Sequence, residues 1–189
     1  MRLRAPRIPP VDLDTLAEPE RETLMGLLGG GPPLNIFRTL AHAPKALARF
    51  LEWGGYVLSR RNSLPARERE IVILRTGFLC RSGYEFTQHT RIGLQAGLSE
   101  VEIGAIKRGA DAPGWSAAER ALIRATDELH KDQFISEATW AALSEHFDQK
   151  QRMDVVFTVG QYTQVSMMLN TFGVQLDPGQ SLDPDLAAY

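Results

Sequence analysis

One cysteine, Cys80, stands among 189 residues, so no internal disulfide can form. That excludes a disulfide-stapled secreted scaffold and suits a reducing compartment. No apolar run approaches the roughly 18 residues that cross a bilayer. The basic start, MRLRAPRIPP, lacks the apolar stretch of a signal peptide. The expected location is therefore the cytoplasm, with no membrane partner. The formal net charge is only -2, so nothing points to a nucleic-acid partner. The four histidines, His42, His89, His130 and His146, are scattered, and none lies four residues from another. No metal site is expected, because Glu85 and His89 would supply two ligands where at least three are needed. No phosphate loop or dinucleotide fingerprint is present, since Gly29-Gly30-Gly31 runs into Pro32-Pro33. No cofactor is expected. Convincing period-2 strands, repeats and inter-domain linkers are all missing, which leaves one all-α domain over residues 1–189.

Helix signals are abundant. The arm over residues 1–12 holds three Arg and three Pro and reads as irregular. A short helix is expected from Leu13 to Leu28, ended by the glycine–proline run. A turn of helix follows over Asn35 to Leu40. Pro44 suits the first turn of the next helix, where Leu47, Phe50, Leu51, Gly54, Val57 and Leu58 form an amphipathic stripe. Ser63 and Pro65 introduce the stretch on which the chain is centred, Leu64 to Ile103. Its charged entry, Arg67-Glu68-Arg69-Glu70, leads into Ile71, Val72, Ile73 and Leu74, apolar on nearly every side, as in a core helix. Gly83 interrupts before a second helix that ends near Gly97. Ser99 with Glu102, and Ser116 with Glu119, have capping-box spacing and open two further helices. Ser136 caps a helix carrying Trp140, Leu143 and Phe147. A long helix from about Lys150 to Phe172 looks buried on more than one side. The tail over residues 176–189, rich in Asp and Pro, reads as irregular.

Glu85 and His89 are the most chemically suggestive pair. At i, i+4 they share one helical face, and a carboxylate beside an imidazole suits proton transfer. The same spacing also describes a solvated surface pair. Glu70 is a second acid–base candidate, or simply an acid placed near a helix N-terminus. Arg75, inside the apolar part of its helix, needs a structural carboxylate or reaches a substrate anion. Cys80 reads either as an inert buried thiol or as a reactive one.

REREIVILRT…GYEFTQHTRIGLQAGLSEVEI resembles the core of the carboxymuconolactone decarboxylase family, within the alkylhydroperoxidase D-like superfamily. The resemblance covers about Ser63 to Arg108. The long last helix, with Tyr162 and Met167-Met168-Leu169-Asn170, is similar to the end of longer members. The peroxidase branch carries a Glu, then Cys-x-x-Cys, then a His. Aligned on His89, that Glu falls on Glu70 and the two cysteines on Ser82 and Glu85, so disulfide cycling loses its thiols. The decarboxylase branch is the one the chain resembles.

The resemblance implies a helical bundle with a helical-hairpin core, assembled as a homo-oligomer, trimer or hexamer. It further implies a cofactor-free carboxy-lyase acting on a small carboxylated lactone or a related acid of aromatic catabolism. His89 would donate the proton, Glu85 would orient it and hold its proton, and Glu70 would assist. Arg75, Ser82 and Tyr84 would contact substrate. Two alternatives stand beside this: a thiol-dependent hydroperoxide reductase using Cys80, and a non-catalytic helical oligomer that binds a small molecule or a partner protein.

Overall fold

The computed structural model describes residues 3–28 and 33–187, so the glycine–proline breaker at 29–32 and residues 1, 2, 188 and 189 lie outside the described residues. The described elements are all helical: α1 (Glu18–Leu27), α2 (Asn35–Leu40), α3 (Pro44–Leu58), α4 (Ala66–Leu79), α5 (Gly83–Gln95), α6 (Glu100–Arg108), α7 (Ala117–Asp132), α8 (Glu137–Ser144) and α9 (Gln149–Phe172).

Helix α4 is the axis. It packs against α5, α6, α7 and α9, and every residue from Glu70 to Gly77 is buried. Three of its faces enter three different apolar clusters. Ile71 and Leu74 meet Phe86, Ile106 and Ile123. Val72 meets Leu122, Leu143 and Val155. Ile73 meets Val57 and Tyr162. A helix surrounded in this way needs no polar face, which is why its sequence shows no helical periodicity. The α4–α5 hairpin closes tightly at Gly93, where a Cβ would lie 3.0 Å from Leu98 Cδ1 and 3.2 Å from Leu74 Cδ1.

Local capping places several boundaries where the sequence puts them. Ser99 and Glu102 form a complete capping box on α6, Ser116 and Glu119 another on α7, and Ser136 caps α8. Three boundaries differ. The first helix begins at Glu18, after a single 3-10 turn over Leu13–Thr15. Ser63 does not cap α4, because Asp154 of α9 takes both its N–H and its hydroxyl, at 2.7 and 2.6 Å. The α4–α5 turn is made by Arg81, at φ 52, and Gly83 is already the first residue of α5.

Both ends of the chain are laid onto the bundle. Arg7 and Ile8 donate their backbone N–H groups to the Phe172 carbonyl at the end of α9. In the tail, Asp177 accepts from the Tyr84 hydroxyl and from Gln88 Nε2, each at 2.7 Å, and from the Asn35 N–H at 2.8 Å. One carboxylate thereby joins α2 to α5. Among the described residues, no helix is long and apolar enough to cross a membrane.

Candidate functional site

Helix α4 supplies Glu70, the first residue of its buried part. Helix α5 supplies Glu85 and His89, one turn apart. His89 stands between the two carboxylates: Nδ1 lies 2.7 Å from Glu70 Oε2 and Nε2 lies 3.0 Å from Glu85 Oε1. All three are buried, at 1%, 5% and 4% exposure for Glu70, Glu85 and His89. A solvated surface pair is therefore the wrong description. The two helices pass closely here: a Cβ on Gly77 of α4 would sit 3.6 Å from Glu85 Cγ, in ordinary contact. The second oxygen of Glu70, Oε1, is buried without a hydrogen-bond partner.

Burial acts on His89 most strongly and favours the neutral ring, but the hydrogen bonds and charges of Glu70 and Glu85 together outweigh it. The imidazole pKa is held up to about 9, so the ring is positively charged at neutral pH. The Tyr162 ring of α9 stands edge-to-face against it, with centroids 4.9 Å apart and planes at 86°. Burial, followed by the charges of Glu85 and Glu70, pushes the Tyr162 phenol well above its ordinary value, so it remains a protonated donor.

His89, Glu85 and Tyr162 border a cavity of about 300 Å³ enclosed by α3, α5, α9 and the α2 segment. Its walls are chiefly apolar and include Phe37, Phe50, Leu51, Ile92 and Val165. A larger cleft of about 760 Å³ lies between the N-terminal arm and α1. It gathers only Asp12, Glu20 and His42 as titratable groups, and His42 Nε2 already meets the Pro9 carbonyl at 3.0 Å. Of the two, only the smaller cavity has Glu85 and His89 on its wall.

The expected substrate contacts are sorted by this geometry. Arg75 does not border the cavity. Its Nε lies 2.6 Å from Asp127, and its Nη1 donates to the Ile106 and Lys107 carbonyls at the end of α6. Of its two expected roles, pairing with a carboxylate is the one this geometry matches. Ser82 is fully buried and also lies outside the cavity lining. Tyr84 does line the cavity, but its hydroxyl is given to Asp177. Cys80 Sγ lies 3.7 Å from His130 Nδ1, and neither residue borders the cavity.

Gln88, Arg91 and Gln161 are not among the residues expected at the site, and Tyr162 is expected only in the core. Arg91 is exposed, borders the cavity and forms no ion pair among the described residues. Tyr84, Gln88 and Arg91 share one face of α5, a signal available from spacing. Gln161 and Tyr162 reach the site only through the packing of α9, which no local pattern encodes. Among the described residues no three His, Cys, Asp or Glu side chains converge as metal ligands, and both His89 nitrogens already face carboxylates.

The hairpin and its surroundings over residues 44–128 match the model of the carboxymuconolactone decarboxylase family. The match takes in 85 of the 189 residues, and over this stretch the chain is similar to that family. No curated protein matches the chain in sequence. Solved structures share the fold of this chain at low identity. An uncharacterised peroxidase-related protein from Ralstonia eutropha JMP134, with an alkylhydroperoxidase AhpD core, superposes with a TM-score of 0.78 at 21% identity. The match covers 92% of this chain and 93% of that one. An uncharacterised peroxidase-related protein from Silicibacter sp. TM1040 gives 0.76 at 15% identity, covering 93% and 95%. A variant of the debrominase Bmp8, in complex with 2,3,4-tribromopyrrole, gives 0.71 at 11% identity, covering 90% and 91%. The fold is thus alkylhydroperoxidase D-like, and at these identities the likeness extends to the fold alone.

Proposed function

We propose that the chain is a cofactor-free acid–base enzyme that removes the carboxylate of a small carboxylated lactone, or of a related acid, as CO₂. The observation that carries this reading is the buried, positively charged His89, held between two carboxylates at the wall of an apolar cavity. In such a step the C–C bond to the carboxylate breaks. Its electron pair moves through the ring double bond onto the lactone carbonyl oxygen, and a proton is added at carbon as the carbonyl reforms. The positive ring favours the developing negative charge in a poorly solvated place.

Both nitrogens of His89 are occupied, so the ring has no N–H free to face the substrate. Glu85, which meets Nε2 and itself borders the cavity, is the group through which the proton passes: from His89 to Glu85, from Glu85 to carbon, and from solvent back to His89. Glu70 does not border the cavity and is a positioning residue, fixing the ring through Nδ1. Arg91 offers the charge at the mouth that a carboxylated substrate needs for capture. The thiol reading has only the Cys80–His130 approach in its favour, and that lies outside the cavity.

The test is turnover of a panel of γ-carboxylactones in D₂O, read as CO₂ release and deuterium at the product carbon. The expected result is one solvent deuteron per CO₂ and a loss of roughly 10²-fold or more in kcat for His89→Ala. Absence of turnover across the panel, or an unaffected His89→Ala, overturns the reading.

A further inference from the structure

Gln161 and Tyr162 pose a problem that packing does not answer. Each is 4% exposed, each borders the cavity, and neither side chain has a hydrogen-bond partner among the described residues. Their polar atoms are nevertheless absent from the sealed, unpartnered groups, which include Ser82 Oγ and Ser166 Oγ. They therefore keep access to the cavity itself. A buried amide and a buried phenol left without partners cost free energy, and native proteins rarely tolerate both side by side without a ligand or water to meet them. Among the other polar side chains of the wall, Tyr84 and Gln88 are turned to Asp177 and Glu85 to His89, and the rest is largely Phe, Leu, Ile and Val. Gln161 Nε2 is directed toward α3 at Gly54, where a Cβ would sit 3.6 Å away, in ordinary contact.

We propose that Gln161 and Tyr162 form the oxygen-binding pair of the cavity, donating the carboxamide N–H and the phenol O–H to one carbonyl oxygen of a small, otherwise apolar cyclic ester. The pair sits beside the proton source, because the Tyr162 ring rests on the His89 ring. Two neutral donors beside a positive ring suit an oxygen that is neutral in the substrate and turns negative as the reaction proceeds. They suit a free carboxylate less, because Glu70 and Glu85 already crowd the site with negative charge. The ester oxygen is thus held inside, while any carboxylate is left toward Arg91 at the mouth. This assignment rests on the cavity being the reaction site, as proposed above.

The probe is an unsubstituted butenolide with an isotope-labelled carbonyl, observed by difference infrared spectroscopy on the whole protein. In the wild type the C=O stretch is expected to move to lower frequency on binding. Tyr162→Phe keeps the ring on His89 and should lose part of that displacement. Gln161→Met keeps the side-chain length and should lose another part, with the double variant returning the stretch to its position in an apolar solvent. Binding of cyclopentene, which has the ring but no oxygen, should be unchanged in all three. On a turned-over lactone acid, each single variant should lower kcat by roughly 10². A wild type that does not bind the butenolide, or a stretch that is the same in wild type and double variant, overturns the pair. The infrared arm needs no turnover. If the decarboxylation reading fails, the displacement and its loss still stand, and His89→Ala should leave the displacement in place.

Discussion

His89 titrates from a raised value, and the sign of that change fixes two outcomes. The charged ring is stabilised in the folded protein relative to its ordinary value of 6.5, and it is held to about 9. The ion-pair stability it contributes is fully present below 6.5 and is lost as pH rises through about 9. Activity that needs the charged ring should therefore persist to about pH 9 and fall above it. Removing one carboxylate with Glu85→Gln should draw that upper limb to lower pH. Because Glu85 takes the ring's Nε2 at the cavity wall, and an amide cannot carry the proton, Glu85→Gln should cost about as much as His89→Ala, roughly 10² or more in kcat. The double variant should be little worse than either, as residues acting as one unit are not additive. The family resemblance makes Glu85 an orienting group, with a milder expected loss. A mild loss with an unmoved limb in the pH–rate profile would return it to that role. Cys80→Ser, outside the cavity, should leave kcat and KM on the same substrate unchanged. A loss of turnover with intact circular dichroism would move the chemistry to the thiol.

At the scale of elements, legibility followed locality. The Ser99–Glu102 and Ser116–Glu119 boxes join atoms three residues apart, so sequence spacing contains them entirely. The Glu85–His89 pair was legible for the same reason. Its partner Glu70 comes from another helix, and only the family resemblance links it to His89 in advance. Ser63 reads as a cap until Asp154, 91 residues away, is placed beside it. The α4 sequence shows that Arg75 must be paired, but not with what. The structure places its guanidinium against the end of α6, where a Cβ on Gly109, at φ 91, would come within 2.9 Å of Nη2. Arg75→Leu should therefore lower the midpoint of urea unfolding, leaving Asp127 and two carbonyls without their donor. The loss should be about 2–3 kcal/mol, less than for a wholly buried pair, because the Asp127 side chain is 35% exposed. KM should stay where it is. A raised KM with unchanged stability would restore Arg75 as a substrate anchor.

At the scale of the whole molecule, the surface carries more apolar area than isolated residues explain. Trp53 and Leu58 on α3 and Leu94 on α5 are 41%, 45% and 40% exposed, and Phe134, Trp140 and Val156 line a second shallow apolar depression. Patches of this kind mark association surfaces. Light scattering at micromolar concentration should give a mass that is a multiple of 21.0 kDa, and a single 21.0 kDa species would refute association. That expectation was available from a sequence with helices apolar on several faces. Which face associates was not, because exposure is set by how the helices pack.

The Asp177 clasp bears on the order in which the molecule is made. Glu70, Glu85 and His89 leave the ribosome together, and the hairpin that holds them is local in sequence. The wall opposite them depends on Gln161 and Tyr162, and then on a carboxylate that draws Asn35 of α2 and Tyr84 of α5 into place from the tail. A nascent chain that has just finished α5 thus owns its acid–base trio but has no vessel around it. The cavity is closed only once residue 177 has been synthesised, so the trio is assembled early and its enclosure late.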